Sequence, residues 1–254
     1  MARRPENPRP PPERPKNRLL RALPEPDFQR LLPHLTTVKT PLRYVFHKNG
    51  EPVEYVYYPN GGVASVTSVL SDGTMVEAAT VGVEGMVGIE AFFSADVVAP
   101  GEAMMQVPDT DAVRLSVTAF RREVARQGAF GDLIGRYIRM VVAQMMQSTA
   151  CNARHHVQER CPRWLLMTHD RVGRDTFDLS HEFLAMMLGV RRQSVTVVAG
   201  SLQTAGLISY KHGRVQILDR KGLEAASCEC YQVIRRYFDE FATDGRPRVR
   251  RPAR

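Results

Sequence analysis

Residues 179–208 read LSHEFLAMMLGVRRQSVTVVAGSLQTAGLI, and this stretch decides the fold of the C-terminal part of the chain. Ser180 is a favourable N-cap, and the apolar residues after it recur at helical spacing. Ala185 is small enough for a second helix to cross closely, and Gly189, four residues later, predicts a tight turn. Apolar residues at helical spacing return over 195–202. This order is typical of a helix-turn-helix, whose second helix lies in the major groove of DNA.

The predicted packing leaves polar and small side chains facing outward at the start of the second helix. Arginine can form a bidentate pair with guanine, glutamine can pair with adenine, and valine can contact a thymine methyl group. The residues predicted to read bases are Arg192, Gln193, Thr196 and Val197. The residues predicted to contact phosphates are Arg191 and Ser194, with Lys211, His212 and Arg214 in a β-hairpin, or wing, that follows. A solvated turn between two ordinary helices is the alternative, which the complete pattern disfavours.

Upstream, residues 36–117 consist of short apolar or alternating runs separated by turn residues, which indicates an antiparallel β unit. Its clearest hairpin joins residues 66–70 to residues 74–81 through Ser71-Asp72-Gly73. Many short strands of this kind predict a small barrel or jelly roll.

From about residue 130 to residue 160 the periodicity becomes helical and predicts one long helix. Two adjacent seams run along it at alternating spacings of four and three, which favours one seam on the β unit and the other on the same helix of a second subunit. The predicted dimer seam consists of Leu133, Tyr137, Met140, Gln144, Gln147 and Cys151. A helix packed wholly within one chain is the alternative.

Composition agrees with a globular protein, since 43% of the 254 residues are hydrophobic and 24% are charged. No apolar run is long enough to span a membrane, and the four cysteines fit a reducing compartment, so we expect a cytoplasmic protein. The net charge of +8 is compatible with a nucleic-acid partner, although much of it lies near the termini.

These observations predict an α+β fold with an N-terminal antiparallel β-roll, a long central helix and a C-terminal winged helix-turn-helix. The predicted divisions are a disordered basic tail over 1–16, a sensory β-roll over 17–129, a dimerisation helix and hinge over 130–160, a DNA-binding domain over 161–241 and a basic tail over 242–254.

This order of elements resembles the Crp/Fnr superfamily of bacterial transcription regulators over about residues 17–241. The most specific pieces are LAMMLGVRRQSVT (184–196) with AGLI (205–208), and VGVEGMVGIEAFF (81–93), which looks like the glycine-rich loop of cyclic-nucleotide-binding folds. The resemblance implies a homodimer on a palindromic operator, with RNA polymerase as a further partner. Val197 replaces an arginine that several members carry, so the operator should differ from theirs.

The resemblance also places a tentative effector pocket at Gly88, Glu90 and Glu102. Cyclic-nucleotide binders of the superfamily carry an Arg-Ser pair where this chain has Gly101-Glu102-Ala103, and a carboxylate there would repel the cyclic phosphate. We therefore expect an effector other than cyclic AMP, of unknown identity.

No cofactor or metal is predicted, although Cys151 and His155 would share a helix face, with His156 adjacent. A structural role for these residues is favoured over metal binding. Cys228 and Cys230 are expected to point to opposite sides of a helix, which makes a poor chelate.

An enzyme and a protein-binding module are the two alternative functions. An enzyme is not expected, because no nucleophile elbow, phosphate loop or metal-ligand cluster is evident in the sequence. A small-ligand-binding regulatory module whose helical domain binds protein rather than DNA is the remaining alternative. The exposed arginine and glutamine face and the wing argue against it.

Overall fold

The computed structural model describes residues 14–109 and 111–243. The predictions for residues 1–13 and 244–254 fall outside these ranges. Arg14 lies within the span predicted as a tail, yet its guanidinium pairs with Glu25 and lies 4.8 Å from the centroid of the Phe28 ring. No helix within the described ranges has the length and apolar character needed to cross a bilayer.

The N-terminal unit is a β-roll preceded by two short helices. Its elements are α1 (Arg18–Arg21), α2 (Glu25–Leu31), β1 (Thr36–Lys39), β2 (Val45–His47), β3 (Tyr55–Pro59), β4 (Val63–Val69), β5 (Met75–Val81), β6 (Glu102–Val107) and β7 (Asp111–Ser116). One antiparallel sheet has the order β1-β7-β3 and the other β2-β6-β4-β5. The predicted hairpin is confirmed as β4 and β5, where Gly73 takes a φ of +81° and Asp72 accepts the Thr74 N–H.

The rest of the described chain is mainly helical. Its elements are α3 (Val117–Val124), α4 (Ala129–Arg154), α5 (Val157–Val172), β8 (Thr176–Asp178), α6 (His181–Leu188), α7 (Arg192–Thr204), β9 (Ile208–Lys211), β10 (Arg214–Ile217), α8 (Arg220–Ala226) and α9 (Cys230–Thr243). Strands β8, β10 and β9 form a small antiparallel sheet in that order. The predicted fold class, a β-roll followed by a long helix and a winged helix-turn-helix, is confirmed.

The long central helix is buried on two sides within one chain. Helix α4 packs against β5 on one side and against α9 on another. As a result, the seam predicted to meet a second subunit is internal: Leu133, Tyr137, Met140, Gln144 and Cys151 are all buried, and Gln147 is partly buried. That placement was wrong because the β-roll and α9 together cover the seam. The Tyr137 hydroxyl donates to the Met86 carbonyl and the Gln144 amide donates to Thr80, both in the β-roll, whereas Gln147 donates to Cys230 at the start of α9. Apolar side chains remain exposed on a third face, where Val142 is 45% and Met146 69% accessible.

The predicted helix over residues 130–160 is interrupted. Helix α4 ends at Arg154, and α5 begins at Val157 after two residues with extended backbone. The His156 N–H donates to the Glu159 carboxylate at 3.2 Å, which caps the new helix. Pro162 is the sixth residue of α5, so the helix lacks one backbone hydrogen-bond donor in its second turn.

The two units meet through buried polar contacts on α5. The Trp164 indole N–H donates to Glu77 Oε1 at 3.0 Å, and Arg171 Nε lies 2.8 Å from Glu84 Oε1, with both partners of this ion pair largely buried. Glu77 and Glu84 belong to the β-roll, so helix α5 anchors the C-terminal unit on it.

The prediction that Cys228 and Cys230 diverge is wrong. Helix α8 ends at Ala226 and α9 begins at Cys230, so Cys228 lies in the connecting segment rather than within a helix. The Cys228 and Cys151 sulfur atoms are 3.5 Å apart.

Candidate nucleic-acid interface

The helix-turn-helix is built as its sequence predicts. Ser180 caps α6 by accepting the Phe183 N–H at 3.1 Å, and Gly189 ends the helix with a φ of +62°. Ala185 is 4% accessible where α7 crosses α6. The inward residues of α7 complete one core with the wing and α5; they are Val195, Val198, Ala199 and Leu202.

The predicted base-reading residues all lie on the exposed side of α7. Arg192, Gln193 and Thr196 are exposed, and Val197 is 67% accessible although it is apolar. Helix α7 has no acidic residue in its first turn. The positive end of the helix dipole therefore adds to the charge of Arg192, and both favour an anionic ligand.

The hydroxyl of Thr196 is already engaged. It donates to the Arg192 carbonyl at 3.1 Å within the helix, and it lies 3.1 Å from His181 Nδ1. A base contact in which this hydroxyl donates would have to replace the bond to the Arg192 carbonyl, whereas Arg192, Gln193 and Val197 need no such exchange. These three residues are therefore the stronger candidates for reading bases.

Sequence reasoning missed a pair that joins the wing to the reading helices. The ring of His181 stacks on that of Tyr210 with centroids 4.1 Å apart, and the Tyr210 hydroxyl donates to the Leu179 carbonyl at 2.6 Å. Burial, and then the charge of Arg192, lower the pKa of His181. No local signal reveals the pair, because its two members are 29 positions apart on different elements.

The predicted phosphate contacts are not equivalent. Lys211 and His212 are exposed at the tip of the wing, and Arg191 is exposed at the start of α7. Ser194 is only partly exposed. Arg214 is exposed but pairs with Asp178 at 3.0 Å, so its charge is shared with a carboxylate.

The predicted effector residues surround one cavity of about 200 Å³ in the β-roll. Gly88, Glu90 and Glu102 all line it, and Val141 and Met145 of the central helix close one side. The Oε2 atom of Glu90 is buried without a hydrogen-bond partner in the described part of the chain. The ring of His47 also lines the cavity; its Nε2 lies 2.8 Å from the Tyr55 carbonyl oxygen, and burial lowers its pKa.

Comparison with known proteins supports this architecture. Residues 159–226 match the Crp-like helix-turn-helix domain. The transcriptional regulator SdrP of Thermus thermophilus is 36% identical over 58 residues, which are 23% of this chain and 29% of SdrP. The chain thus aligns with less than a third of the length of this curated relative.

Solved structures extend the likeness to the fold of most of the chain. A transcriptional regulator of the CRP family from Thermus thermophilus is 25% identical, with a TM-score of 0.58 over 75% of this chain and 95% of the other. The c-di-GMP responsive global regulator CLP of Xanthomonas campestris is 17% identical, with a TM-score of 0.62 over 76% of this chain and 99% of CLP.

Proposed function

We propose that this chain, which carries a Crp-like helix-turn-helix domain on a Crp/Fnr-type fold, is a DNA-binding transcription regulator that reads DNA with α7. One observation carries the proposal: Arg192, Gln193 and Val197 are exposed on the first turns of a helix whose opposite side is buried. Their side chains offer a guanine contact, an adenine contact and a thymine methyl contact. Lys211 and His212 would fix the orientation of the domain through phosphates.

The regulator acts as a homodimer on a palindromic operator, with RNA polymerase as a further partner. The exposed face of α4 supports the dimer, because Val142 and Met146 are apolar and solvent-accessible on the central helix. Large exposed apolar side chains grouped on one helix face are typical of protein interfaces. A two-fold dimer presents its two reading helices to inverted half-sites.

The effector is a molecule other than cyclic AMP. The cavity carries the carboxylates of Glu90 and Glu102, and a phosphate placed beside them would be repelled. For the same reason the c-di-GMP response named for the Xanthomonas regulator is not transferred to this chain. We expect cyclic AMP to leave the thermal unfolding temperature unchanged.

Selection from a pool of random DNA duplexes at about physiological salt tests the proposed function. The full chain should retain an inverted repeat, and Arg192→Ala should relax the information at one position of each half-site. Arg21→Ala removes the same charge from an exposed site on the N-terminal unit and should select the wild-type motif.

Two outcomes would refute the proposal. Retention of DNA without any motif, equal in wild type and Arg192→Ala, would mean that basic charge alone binds. Failure to retain DNA at all would favour the alternative of a ligand-binding module whose helical domain binds protein.

A further inference from the structure

A cluster of three cysteines and one histidine lies where the central helix meets the C-terminal segment. Cys151 and His155 come from the end of α4, and Cys228 and Cys230 from the junction of α8 and α9. The three cysteines are at most 3% accessible, and they form a small core of their own. Residues more than 70 positions apart thus bring four metal-ligating side chains to one point.

The spacing of the ligand atoms fits a single tetrahedral ion. Tetrahedral zinc, with Zn–S of about 2.3 Å and Zn–N of about 2.05 Å, places two sulfur ligands about 3.8 Å apart and a sulfur and a nitrogen about 3.6 Å apart. Here the Cys151 and Cys228 sulfurs are 3.5 Å apart, and Cys230 Sγ is 3.6 Å from His155 Nδ1. All four ligand atoms lie within 4.8 Å of one another.

The groups around the cluster are those that support a metal site. His155 directs Nδ1 toward the cysteines, while its Nε2 lies 3.1 Å from the carboxylate of Glu229. A carboxylate on the second nitrogen orients a ligating imidazole and raises its basicity. The Gln147 amide donates to Cys230 Sγ at 3.0 Å, an interaction that stabilises a thiolate.

The charges around the cluster also favour a bound divalent ion. Three thiolates and a neutral imidazole around a divalent ion leave a net charge of −1. Two buried arginines of α5 offset this charge: Arg160 is 9% and Arg163 5% accessible. The guanidinium of Arg163 interacts electrostatically with the sulfurs of both Cys151 and Cys228.

We propose that Cys151, His155, Cys228 and Cys230 bind one zinc ion. Thiolates with an imidazole are the donor set of structural zinc sites, and four protein ligands leave no open position for a substrate. The ion would fasten the end of α4 to the start of α9. Because α4 also lines the effector cavity, the ion would hold the cavity and the reading unit in one arrangement. This last consequence rests on the proposed function, whereas metal binding itself does not.

Metal content of the full-length protein, purified under reducing conditions, is the first test. We expect one zinc per chain, and after removal by a chelator we expect Co²⁺ to give the visible bands of a tetrahedral thiolate site. Cys228→Ser should lose both signals. Cys161→Ser is the matched control and should keep both signals, because Cys161 is buried in a different hydrophobic core from the other three cysteines.

Two further variants keep the test decisive if Cys228→Ser does not fold. His155→Cys should still bind Co²⁺ with an altered spectrum, since it supplies a fourth thiolate. Glu229→Gln should bind zinc roughly tenfold to a hundredfold more weakly. Arg192→Ala should retain its zinc, so that failure of DNA reading and failure of metal binding are told apart.

Absence of zinc and of a Co²⁺ spectrum in the folded wild type would overturn the proposal. A disulfide between Cys151 and Cys228 that forms readily in a metal-free protein, without any metal retention after reduction, would instead identify a redox pair. Equal metal loss in Cys161→Ser would overturn the assignment of ligands.

Discussion

Replacing Glu77 by glutamine should make the protein more stable at neutral and alkaline pH. Glu77 lies between the β-roll and α5, where it accepts the Trp164 indole N–H at 3.0 Å and the Ser65 hydroxyl lies 2.7 Å from its Oε2. The same Ser65 hydroxyl also contacts Gln106 Oε1. One hydroxyl proton serves only one acceptor, so a proton on Glu77 completes this network, and a glutamine amide supplies an equivalent donor.

The size of the effect follows from the pKa of Glu77. Burial raises this pKa from 4.5 to about 7, against the opposing effects of Ser65 and two arginines. At about 1.4 kcal/mol per pKa unit, ionisation in the folded state costs about 3 kcal/mol relative to the unfolded chain. Glu77 keeps partial contact with solvent, which screens some of this cost and leaves about 2 kcal/mol.

The direction of the pH dependence of stability follows from proton binding to Glu77. Between pH 4.5 and pH 7 the folded chain holds a proton on Glu77 that the unfolded chain has released. The free energy of unfolding of the wild type therefore falls as the pH rises through this window, and the full loss is present above it. Glu77→Gln has no such loss.

Urea unfolding of wild type and Glu77→Gln at several pH values from about 5 to about 8.5 measures this difference. We expect the two free energies of unfolding to diverge as the pH rises, with the variant more stable above about pH 7. Glu51→Gln, at an exposed carboxylate, should run parallel to the wild type. A constant difference between Glu77→Gln and wild type, or a variant that is less stable at alkaline pH, would refute the reasoning.

Three other substitutions test separate parts of the account. Met146→Glu places a charge on the exposed face of α4 and should convert the dimer to a monomer in analytical ultracentrifugation. Leu42→Glu places the same charge at an exposed site of the β-roll, away from α4, and should leave a dimer. Gly189→Ala should lower the free energy of unfolding by about 1–2 kcal/mol because its φ is +62°, and an unchanged thermal unfolding temperature would contradict this. The lowered pKa of His181 means that the folded state favours the neutral ring, so the free energy of unfolding of the wild type should fall as the pH drops below 6.5. His181→Phe cannot be protonated and should not show this decrease.

The sequence predicted those parts of the fold that depend on local patterns. Residues within one segment determine the helix cap at Ser180, the turn at Gly189 and the helical spacing of the buried Val195 and Val198. The β4–β5 hairpin follows from the Asp-Gly turn in the same way. Each of these features is settled by residues close together in the chain.

The incorrect predictions concern features formed by segments that are far apart in the sequence. The periodicity of α4 indicates two buried seams, but it does not reveal which of them the β-roll, α9 or a second subunit covers. Cys228 is predicted within a helix because the helical pattern runs from Leu223 to Ile234 in the sequence. The break after Ala226 places its sulfur 3.5 Å from that of Cys151. The stacking of His181 on Tyr210 likewise depends on how the wing folds back.

The central claim is that α7 reads bases through Arg192, and affinities for single base-pair variants of the selected operator test it most directly. Dissociation constants should be measured for wild type and Arg192→Ala at one salt concentration, on the operator and on each substituted duplex. In the wild type we expect one guanine substitution per half-site to cost about 1–3 kcal/mol, and in Arg192→Ala we expect that same substitution to cost almost nothing. Identical substitution profiles for the two proteins would contradict the claim that this arginine reads DNA.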